Sequence, residues 1–401
     1  MPELTAAVRE RGKVPDGRMP SMRGRVHANR LCDLRALGGP VHGLRTVVIG
    51  VVIACAAVVA PAALVAPAAA VSPTVEASWS ALSVPAAAPP ANVSDLAARG
   101  PDEAWATGTE QGADGSRPLL HRWDGTAWSR DTTFPGSDEP GRLGKVQFVG
   151  EETWIFRTRS GAGEILRRSA AGWSTVPLPR TLWTYQDFTA VPGAAWVVGE
   201  DSTGLKVLRY DGSTWTAQST PDGVLFLMGI TARTATDAWA WADTSNGTAV
   251  LHWDGTAWRD AKVPLPTNSN VHTMLLEADG RMTIGGSQYT DGVGRTYVMS
   301  WNGHAWRTTY PPLGDTYTAA MVRGPDRALW LPVRSDRAFQ SKYARVDGRR
   351  VSYSYGPERT NAIDVKPAAL ARAGSALLSF GTVEIYGSKP NLMSERTGAR
   401  P

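Results

Sequence analysis

Short runs of apolar residues alternate with polar turns along the chain and recur at intervals of about 41 to 49 residues. The clearest repeated unit is the hexapeptide Trp123–Trp128, with the pattern W-D-G-x-x-W. Close copies lie at Tyr210–Trp215, Trp253–Trp258 and Trp301–Trp306, and degenerate ones at 169–173 and 346–351. Asp-Gly or Asn-Gly between apolar runs predicts a β-hairpin, because both residues tolerate a positive φ. The flanking aromatic residues are then expected to pack across the two strands.

A second motif precedes each hairpin by about 14 to 18 residues, where an apolar strand carries one large side chain. The residues at this position are Trp105, Trp154, Trp196, Trp239, Ile284, Trp330 and Leu377. A shorter strand of small apolar residues comes before it, and Gly, Pro or Asp separates the two, as a tight turn requires. Each repeat is therefore predicted to hold four strands, named a, b, c and d in chain order.

The repeats do not end evenly. Seven b strands are present, but the last unit has only strands a (Pro367–Leu370), b (Ala376–Phe380) and c (Asn391–Arg396) before the sequence ends. At the other end, Ala77–Ala81 resembles a d strand with no strands before it. Four-stranded sheets repeated radially form a β-propeller. We therefore predict an all-β, seven-bladed β-propeller over residues 71–401, closed when the N-terminal strand completes the last blade.

The first 70 residues have a different character. A basic region at 1–45 precedes an apolar segment at 46–70, which ends in small residues at 68–70. This order is typical of a secretory signal peptide. An uncleaved membrane anchor and a lipoprotein cleaved at Cys55 stay open as alternatives. All three place the propeller outside the cytoplasm, secreted or membrane-anchored, and a membrane is a partner only if the 46–70 segment is uncleaved.

Charge and cysteine content exclude several classes of function for residues 71–401. The chain has 42 basic and 37 acidic residues, and nine of the basic and four of the acidic ones lie in 1–70. The 33 residues of each sign that remain leave the propeller neutral, so we expect no nucleic-acid partner. Cys32 and Cys55 both lie in the leader, so the propeller has no thiol for a disulfide, a metal or nucleophilic catalysis.

The W-D-G-x-x-W hairpins resemble those of bacterial secreted β-propellers with kelch-like or galactose-oxidase-like repeats. Among the repeats, the Gly-Gly doublet that kelch repeats show after strand b occurs only at Gly285-Gly286, and the Asp box of sialidases is not matched. Galactose-oxidase chemistry, as the resemblance would imply it, requires a cysteine that this propeller lacks. The resemblance therefore implies the architecture but no activity.

No set of residues selects a catalytic site. His121, His252, His272 and His304 lie in the propeller, and the first two occupy equivalent c strands, which favours a structural role. No zinc spacing, phosphate-binding glycine loop or nucleophile elbow is present. We predict no catalytic residues, no metal and no cofactor, and the sequence favours a protein that is not an enzyme.

Aromatic residues outside the repeat positions concentrate in two sets of connections, d-to-a and b-to-c, which emerge on the same face of a propeller. The predicted ligand-binding residues are Trp183, Tyr185, Phe226, Tyr317 and Tyr355 in the first set, and Tyr289, Phe339 and Tyr386 in the second. Loops on a rigid scaffold commonly carry binding sites. Charged residues such as Arg180, Asp201, Asp291 and Asp336 lie near them in sequence.

Three functions are compatible with this pattern. The first is a monomeric extracellular binding module for a glycan, a cell-wall polymer or a protein. The second is an extracellular carbohydrate-active hydrolase or lyase, which would bring carboxylates and arginines together at the channel mouth. The third is a structural scaffold without a small ligand. An aromatic shelf would favour the first, and a deep acidic and basic pocket the second.

Overall fold

The computed structural model describes residues 77–159, 162–179, 182 and 184–398. The predicted leader, with its regions 1–45 and 46–70, lies outside the described residues. Among those described, no helix is long and apolar enough to span a membrane.

The described chain forms seven antiparallel four-stranded sheets, each a blade of the propeller. This confirms the predicted fold class. The first three blades are built from the following strands. Blade 1 contains β2 (Asn92–Gly100), β3 (Glu103–Gly112), β4 (Gly115–Trp123) and β5 (Trp128–Arg130). Blade 2 contains β6 (Arg142–Val149), β7 (Glu152–Arg159), β8 (Ala162–Ser169) and β9 (Gly172–Pro177). Blade 3 contains β10 (Thr184–Val191), β11 (Ala194–Asp201), β12 (Gly204–Tyr210) and β13 (Trp215–Gln218).

The remaining blades follow the same order, with one exception at the end. Blade 4 contains β14 (Val224–Thr234), β15 (Asp237–Thr244), β16 (Gly247–Trp253) and β17 (Trp258–Asp260). Blade 5 contains β18 (Ser269–Leu276), β19 (Met282–Thr290), β20 (Val293–Trp301) and β21 (Trp306–Thr309). Blade 6 contains β22 (Val322–Arg323), β23 (Leu329–Val333), β24 (Lys342–Asp347) and β25 (Arg350–Tyr355). Blade 7 contains β26 (Ala362–Ala373), β27 (Ala376–Ile385), β28 (Asn391–Thr397) and, as its outer strand, β1 (Trp79–Leu82).

The hydrophobic core lies between the blades. One cluster joins Trp196 and Val198 of blade 3 to Ile230 and Ala240 of blade 4. Another joins blade 1 to blade 7, across the junction of the chain ends. Because each blade buries apolar side chains against two neighbours, every blade depends on the ring being closed.

Strand β1 closes the ring as the sequence predicts. Trp79 pairs with Thr397, and Leu82 with Ser394, in an antiparallel ladder. The Trp79 indole is 7% exposed and stacks on the ring of Tyr343 in blade 6, with centroids 3.8 Å apart. Its Nε1 donates a hydrogen bond to Ser354 Oγ at 2.9 Å. The N-terminal strand therefore contacts blade 6 as well as completing blade 7.

The hairpin motif works differently from the expected turn. Gly125 has a positive φ of 98°, but Asp124 does not. Instead, Asp124 Oδ1 accepts hydrogen bonds from the amides of Thr126 and Ala127, at 2.9 and 2.8 Å. These hydrogen bonds lower the pKa of Asp124 to about 2. The aspartate therefore serves as an acceptor for loop amides, in the manner of an Asx-turn.

A row of charged residues joins the first strands of blades 1 to 4 on the channel side. Asp95 Oδ2 accepts from the amide of Val146, and Asp187 Oδ2 from the amide of Ile230, both at 2.9 Å. Between them, Lys145 Nζ lies 3.2 Å from Asp187 Oδ1. Burial raises the pKa of Asp95, although the Val146 amide and Lys145 act in the opposite direction. These side chains hold neighbouring blades together at the axis.

Removing the Trp79 indole should weaken the closure of the propeller. We expect Trp79→Ala to lower the free energy of unfolding by about 3–5 kcal/mol, the cost of deleting a buried large aromatic side chain. Trp79→Phe keeps the stack on Tyr343 and loses the bond to Ser354, so it should cost about 1 kcal/mol. Urea unfolding followed by circular dichroism measures both. Equal stability of the alanine variant and the wild type would contradict closure by β1.

The hairpin aspartates should make the protein acid-sensitive over a defined pH window. Because the pKa of Asp124 is lowered from 3.8 to about 2 in the folded protein, its contribution is complete above 3.8 and is lost as the pH falls towards 2. The pKa of Asp211 is lowered too, mainly by the Thr214 amide, and that of Asp254 mainly by the Thr256 hydroxyl and the Arg259 guanidinium. Asn302 accepts the same two amide bonds in blade 5 without titrating.

We therefore expect the triple variant Asp124→Asn, Asp211→Asn and Asp254→Asn to keep its melting temperature near neutral pH. Below pH 3.8 its melting temperature should fall less than that of the wild type. Melting curves across this pH range measure the effect. Asp347→Asn is the control, because within the described residues the Asp347 carboxylate accepts no hydrogen bond from a loop amide and has only Arg345 nearby, at 3.9 Å; its turn is also shorter. If the melting temperatures of the wild type and the triple variant fell equally with pH, these aspartates would not be the source of the acid sensitivity.

Candidate functional site

One face of the ring exposes apolar side chains, and only four consecutive blades contribute to it. Among the described residues, the large apolar side chains that are exposed all lie in or beside the b-to-c and d-to-a connections of blades 4 to 7. They are Leu225, Phe226, Met228, Tyr289, Val293, Tyr310, Tyr317, Phe339, Ile363, Ile385 and Tyr386. We call this surface the apolar mouth. Large exposed apolar patches on soluble proteins commonly mark binding surfaces.

A cavity of about 1000 Å³ opens within the apolar mouth at blade 6. Its walls are the 315–320 segment before β22, the 332–338 segment at the end of β23, and the 363–368 segment of β26. These walls belong to the connection between blades 5 and 6, to blade 6 and to blade 7. The volume lies in the range typical of ligand pockets.

The cavity exists because blade 6 lacks most of its first strand. Strand a spans eight to twelve residues in the other six blades, but β22 spans two. Val322 pairs with Trp330 and Arg323 with Leu329, and the ladder stops there. The cavity therefore occupies the position where the upper part of strand a would lie beside Pro332 and Val333.

The missing part of the strand packs against blade 5 instead. The Thr318 amide donates to His272 Nδ1 at 3.3 Å, and the Met321 amide donates to the Thr318 carbonyl at 3.0 Å. Thr318 is fully buried. A Cβ on Gly285 would lie 2.7 Å from Thr318 Oγ1, so the glycine provides the space for this packing.

The charged groups of the cavity are held in defined positions. Asp336 Oδ1 accepts from Lys342 Nζ at 3.0 Å and from Tyr355 Oη at 2.8 Å. These two bonds lower the pKa of Asp336 to about 2, so the carboxylate is ionised at neutral pH. Arg337 lies over the Tyr355 ring, 3.8 Å from its centroid, and Asp364 forms an ion pair with Lys366.

Two other charged residues of the cavity form no ion pair within the described residues. Arg334 is exposed at the end of β23. Asp315 lies on the opposite wall, where its Oδ1 accepts from the Ser287 hydroxyl at 2.8 Å. Both are therefore available to a ligand.

Tyr317 stands between this cavity and a second one. Its side chain is 70% exposed, and its ring lies 4.6 Å from that of His272 at an angle of 45°. The second cavity, of about 240 Å³, lies between blades 4 and 5 and is lined by Met228, Trp241, Asp243, Thr248, Asn270, Val271, His272 and Tyr317. One exposed ring therefore borders both spaces.

The predicted binding residues occupy different environments, and their role in binding stays a prediction. Phe226, Tyr289, Phe339 and Tyr386 are exposed in the apolar mouth, and Tyr317 borders both cavities. Tyr355 supports Asp336 and Arg337 from beside the cavity.

Tyr185 packs instead against the core between blades 2 and 3. Its ring lies 5.4 Å from that of Phe156, and burial raises the pKa of its phenol. Trp183 and Arg180 lie outside the described residues.

Sequence reasoning missed several cavity residues, including Arg334, Asp315, Asp364 and Lys366. The charged residues carry no repeat signature, so their convergence became visible only with the fold. One signal was present in Pro332, which follows Trp330 of the predicted b strand by two residues and lies within β23. A proline there indicates a strand edge without a partner.

The histidines that were expected to be structural are placed in the blades or their hairpins. Burial lowers the pKa of His121 to about 4, so its ring is neutral at pH 7. His252 Nε2 lies 3.0 Å from Asp237 Oδ1 within blade 4. Within the part of the chain that the structure describes, no cluster of three or more His, Cys, Asp or Glu side chains is arranged to hold a metal ion.

Comparison with known proteins supports the fold. No protein-family model matches the sequence, and no curated protein matches it. Among solved structures, the chain is similar to an oligogalacturonate lyase in complex with manganese (TM-score 0.51, 12% identity, covering 74% of this chain and 86% of that one). It is also similar to the hydrazine synthase of Kuenenia stuttgartiensis (TM-score 0.50, 10% identity, 74% and 96%).

A GH74 xyloglucanase from Xanthomonas campestris matches with a TM-score of 0.49 and 16% identity, over 79% of this chain and 53% of that one. At 12% and 10% identity, the likenesses to the lyase and to the hydrazine synthase show the fold alone.

The wall of the cavity can be tested through Gly285. We expect Gly285→Ala to force Thr318 away from blade 5 and to lower the free energy of unfolding by about 1–3 kcal/mol, as overpacking does. Gly100→Ala is the matched control, since a Cβ there meets nothing within 4 Å, and it should change stability by about 0.5 kcal/mol or less. Urea unfolding compares the two. A Gly285→Ala variant as stable as the control would show that the 315–321 segment does not pack as described.

Proposed function

We propose that this protein is a secreted or surface-exposed binding module that holds an extracellular polymer at the apolar mouth of blades 4 to 7. The observation that carries the proposal is the confinement of the exposed large apolar side chains to this one surface. Exposed apolar side chains on a closed propeller are costly in water, and a ligand that covers them removes that cost. The cavity at blade 6 adds oriented polar groups that would confer specificity.

Extracellular placement is part of this proposal. It is supported by the basic region 1–45 followed by the apolar segment 46–70, the order found in exported proteins. The membrane is a partner in this proposal only if the segment stays uncleaved.

We also propose that the chain is related to a particular group of repeat propellers. Four W-D-G-x-x-W-type hairpins support a relationship to kelch-like or galactose-oxidase-like repeat propellers. The presence of a single Gly-Gly doublet distinguishes this chain from the usual kelch pattern.

A second candidate is a carbohydrate-active hydrolase or lyase on the same scaffold. It is favoured by the convergence of Asp315, Asp336 and Asp364 with Arg334 and Arg337 around one cavity. The similar oligogalacturonate lyase acts on oligogalacturonate, as its name says. Within this candidate, Asp336 could not be the general acid, because Lys342 and Tyr355 hold it as an ionised carboxylate.

Thermal denaturation against a panel of polysaccharides, cell-wall fragments and secreted proteins tests the proposal. A ligand at 100 times its Kd should add about 2.7 kcal/mol to stability, enough to raise the melting temperature measurably. Met228→Asp and Phe339→Asp should reduce the shift, because they place a charge on the apolar mouth. His304→Asp, in a hairpin on the opposite face, is the control and should leave the shift unchanged.

A panel without any shift would count against the binding module. Cleavage of a polysaccharide that also shifts the melting temperature, detected by chromatography of the products, would favour the enzyme instead.

A further inference from the structure

At Pro332 the open edge of blade 6 offers an acceptor but no donor. The Gly324 amide donates to the Ala328 carbonyl at 2.8 Å, so the backbone of Ala328 faces strand a. Alternate residues of a strand face the same neighbour, so Trp330 and Pro332 face that side as well. Pro332 has no N–H, and its carbonyl forms no hydrogen bond within the described residues.

This edge disfavours a polypeptide strand as the ligand. Strand addition relies on main-chain hydrogen bonds in both directions between the peptide and the sheet edge. At Pro332 the donor half of that exchange is missing, which is the way natural sheets prevent edge pairing. A ligand rich in hydroxyl groups has no such requirement, because each hydroxyl can donate to a carbonyl or a carboxylate.

The side chains around the edge suit such a ligand. Carboxylates accept hydrogen bonds from hydroxyls, and Asp315, Asp336 and Asp364 supply them from three different walls. Arg334 adds donors beside them. The ionised state of Asp336 keeps it an acceptor at neutral pH.

Tyr317 indicates that the ligand is longer than one ring. Its exposed face borders the cavity at blade 6 and the smaller cavity between blades 4 and 5. The smaller cavity has its own polar groups, Asp243 and Asn270, and an exposed apolar side chain, Met228. A ligand that fills both spaces must cross the tyrosine ring.

We infer that the ligand of the apolar mouth is an oligosaccharide of several units, which stacks one unit on Tyr317 and places its neighbours in the two cavities. This inference rests on the proposed binding function and names the ligand class at the same site. The Pro332 carbonyl and the three aspartates accept hydrogen bonds from the units in the larger cavity.

Calorimetric titration of the full chain with ladders of defined oligosaccharides tests the inference. The probes are cello-, xylo-, chito- and galacturono-oligosaccharides, each from monosaccharide to hexasaccharide. For one ladder, affinity should rise with length and level off once both cavities are filled. Tyr317→Ala should weaken binding of the longer members about tenfold, whereas Tyr317→Phe should bind as the wild type does.

A second pair of variants tests the location. Ala319→Trp would fill the larger cavity from an exposed wall position, and it should abolish binding of the longer oligosaccharides. Ala170→Trp, on an exposed hairpin of the opposite face, is the matched control for folding and for the bulk of the new side chain.

The outcomes separate the inference from the proposed function. In one outcome, peptides selected from a displayed random library bind the wild type but not Ala319→Trp, and no oligosaccharide binds. That outcome would overturn the inference and keep the binding function. Oligosaccharide binding that is independent of length, or that survives both Tyr317→Ala and Ala319→Trp, would also overturn it. If no oligosaccharide, no displayed peptide and no member of the thermal panel binds, both the inference and the proposed function are overturned.

Discussion

The structure depends on closure of the ring of blades. A four-stranded blade has two apolar faces, and each face is buried only when a neighbouring blade covers it. The outer strand of blade 7 is β1, which precedes blade 1 in the sequence and pairs with β28, the last strand described. Trp79 extends this junction to blade 6 by stacking on Tyr343 and bonding to Ser354. The last two blades are thus tied to the first strand of the described chain.

A closed ring allows one blade to be incomplete. Blade 6 keeps strands b, c and d between its neighbours, and most of strand a is replaced by the 315–321 segment, which packs on blade 5 through Thr318. Pro332 avoids an orphan donor at the position where the partner strand is missing. Because proline has no N–H, the missing partner strand leaves no unsatisfied donor at this position. The cavity is lined by the 315–320 and 334–338 loop segments and by β26, which carries Asp364 and Lys366.

The two halves of the ring differ in what they present at the mouth. Blades 1 to 4 are joined near the axis by Asp95, Lys145 and Asp187, which bond across blade boundaries. The exposed apolar side chains belong to blades 4 to 7, where the larger cavity also lies. This division separates the residues that hold the blades together from those that a ligand would contact.

The repeat made the fold predictable from the sequence, because hairpin aromatics and b-strand residues such as Trp105 and Trp196 recur at positions that must be buried. Closure by the N-terminal strand followed from counting strands. The role of the hairpin aspartates was only partly foreseen. We expected these residues to adopt a positive φ, but instead their carboxylates accept hydrogen bonds from loop amides. The cavity could not be foreseen, because it arises from a strand that is absent and from charged residues outside the repeat. Tyr185 shows the same limit, as a loop aromatic that packs inward.

Hydrogen exchange of the ligand-free protein, resolved by residue, tests whether β1 closes the ring and whether blade 6 lacks the upper part of strand a. We expect slow exchange for the amides of β28 and for those β1 amides that face β28. It predicts fast exchange for Ala320, whose amide would bond to the Pro332 carbonyl if strand a were complete. Fast exchange throughout β1 would show that the ring is open. Slow exchange at Ala320 would show that the protein's own chain fills the proposed ligand site.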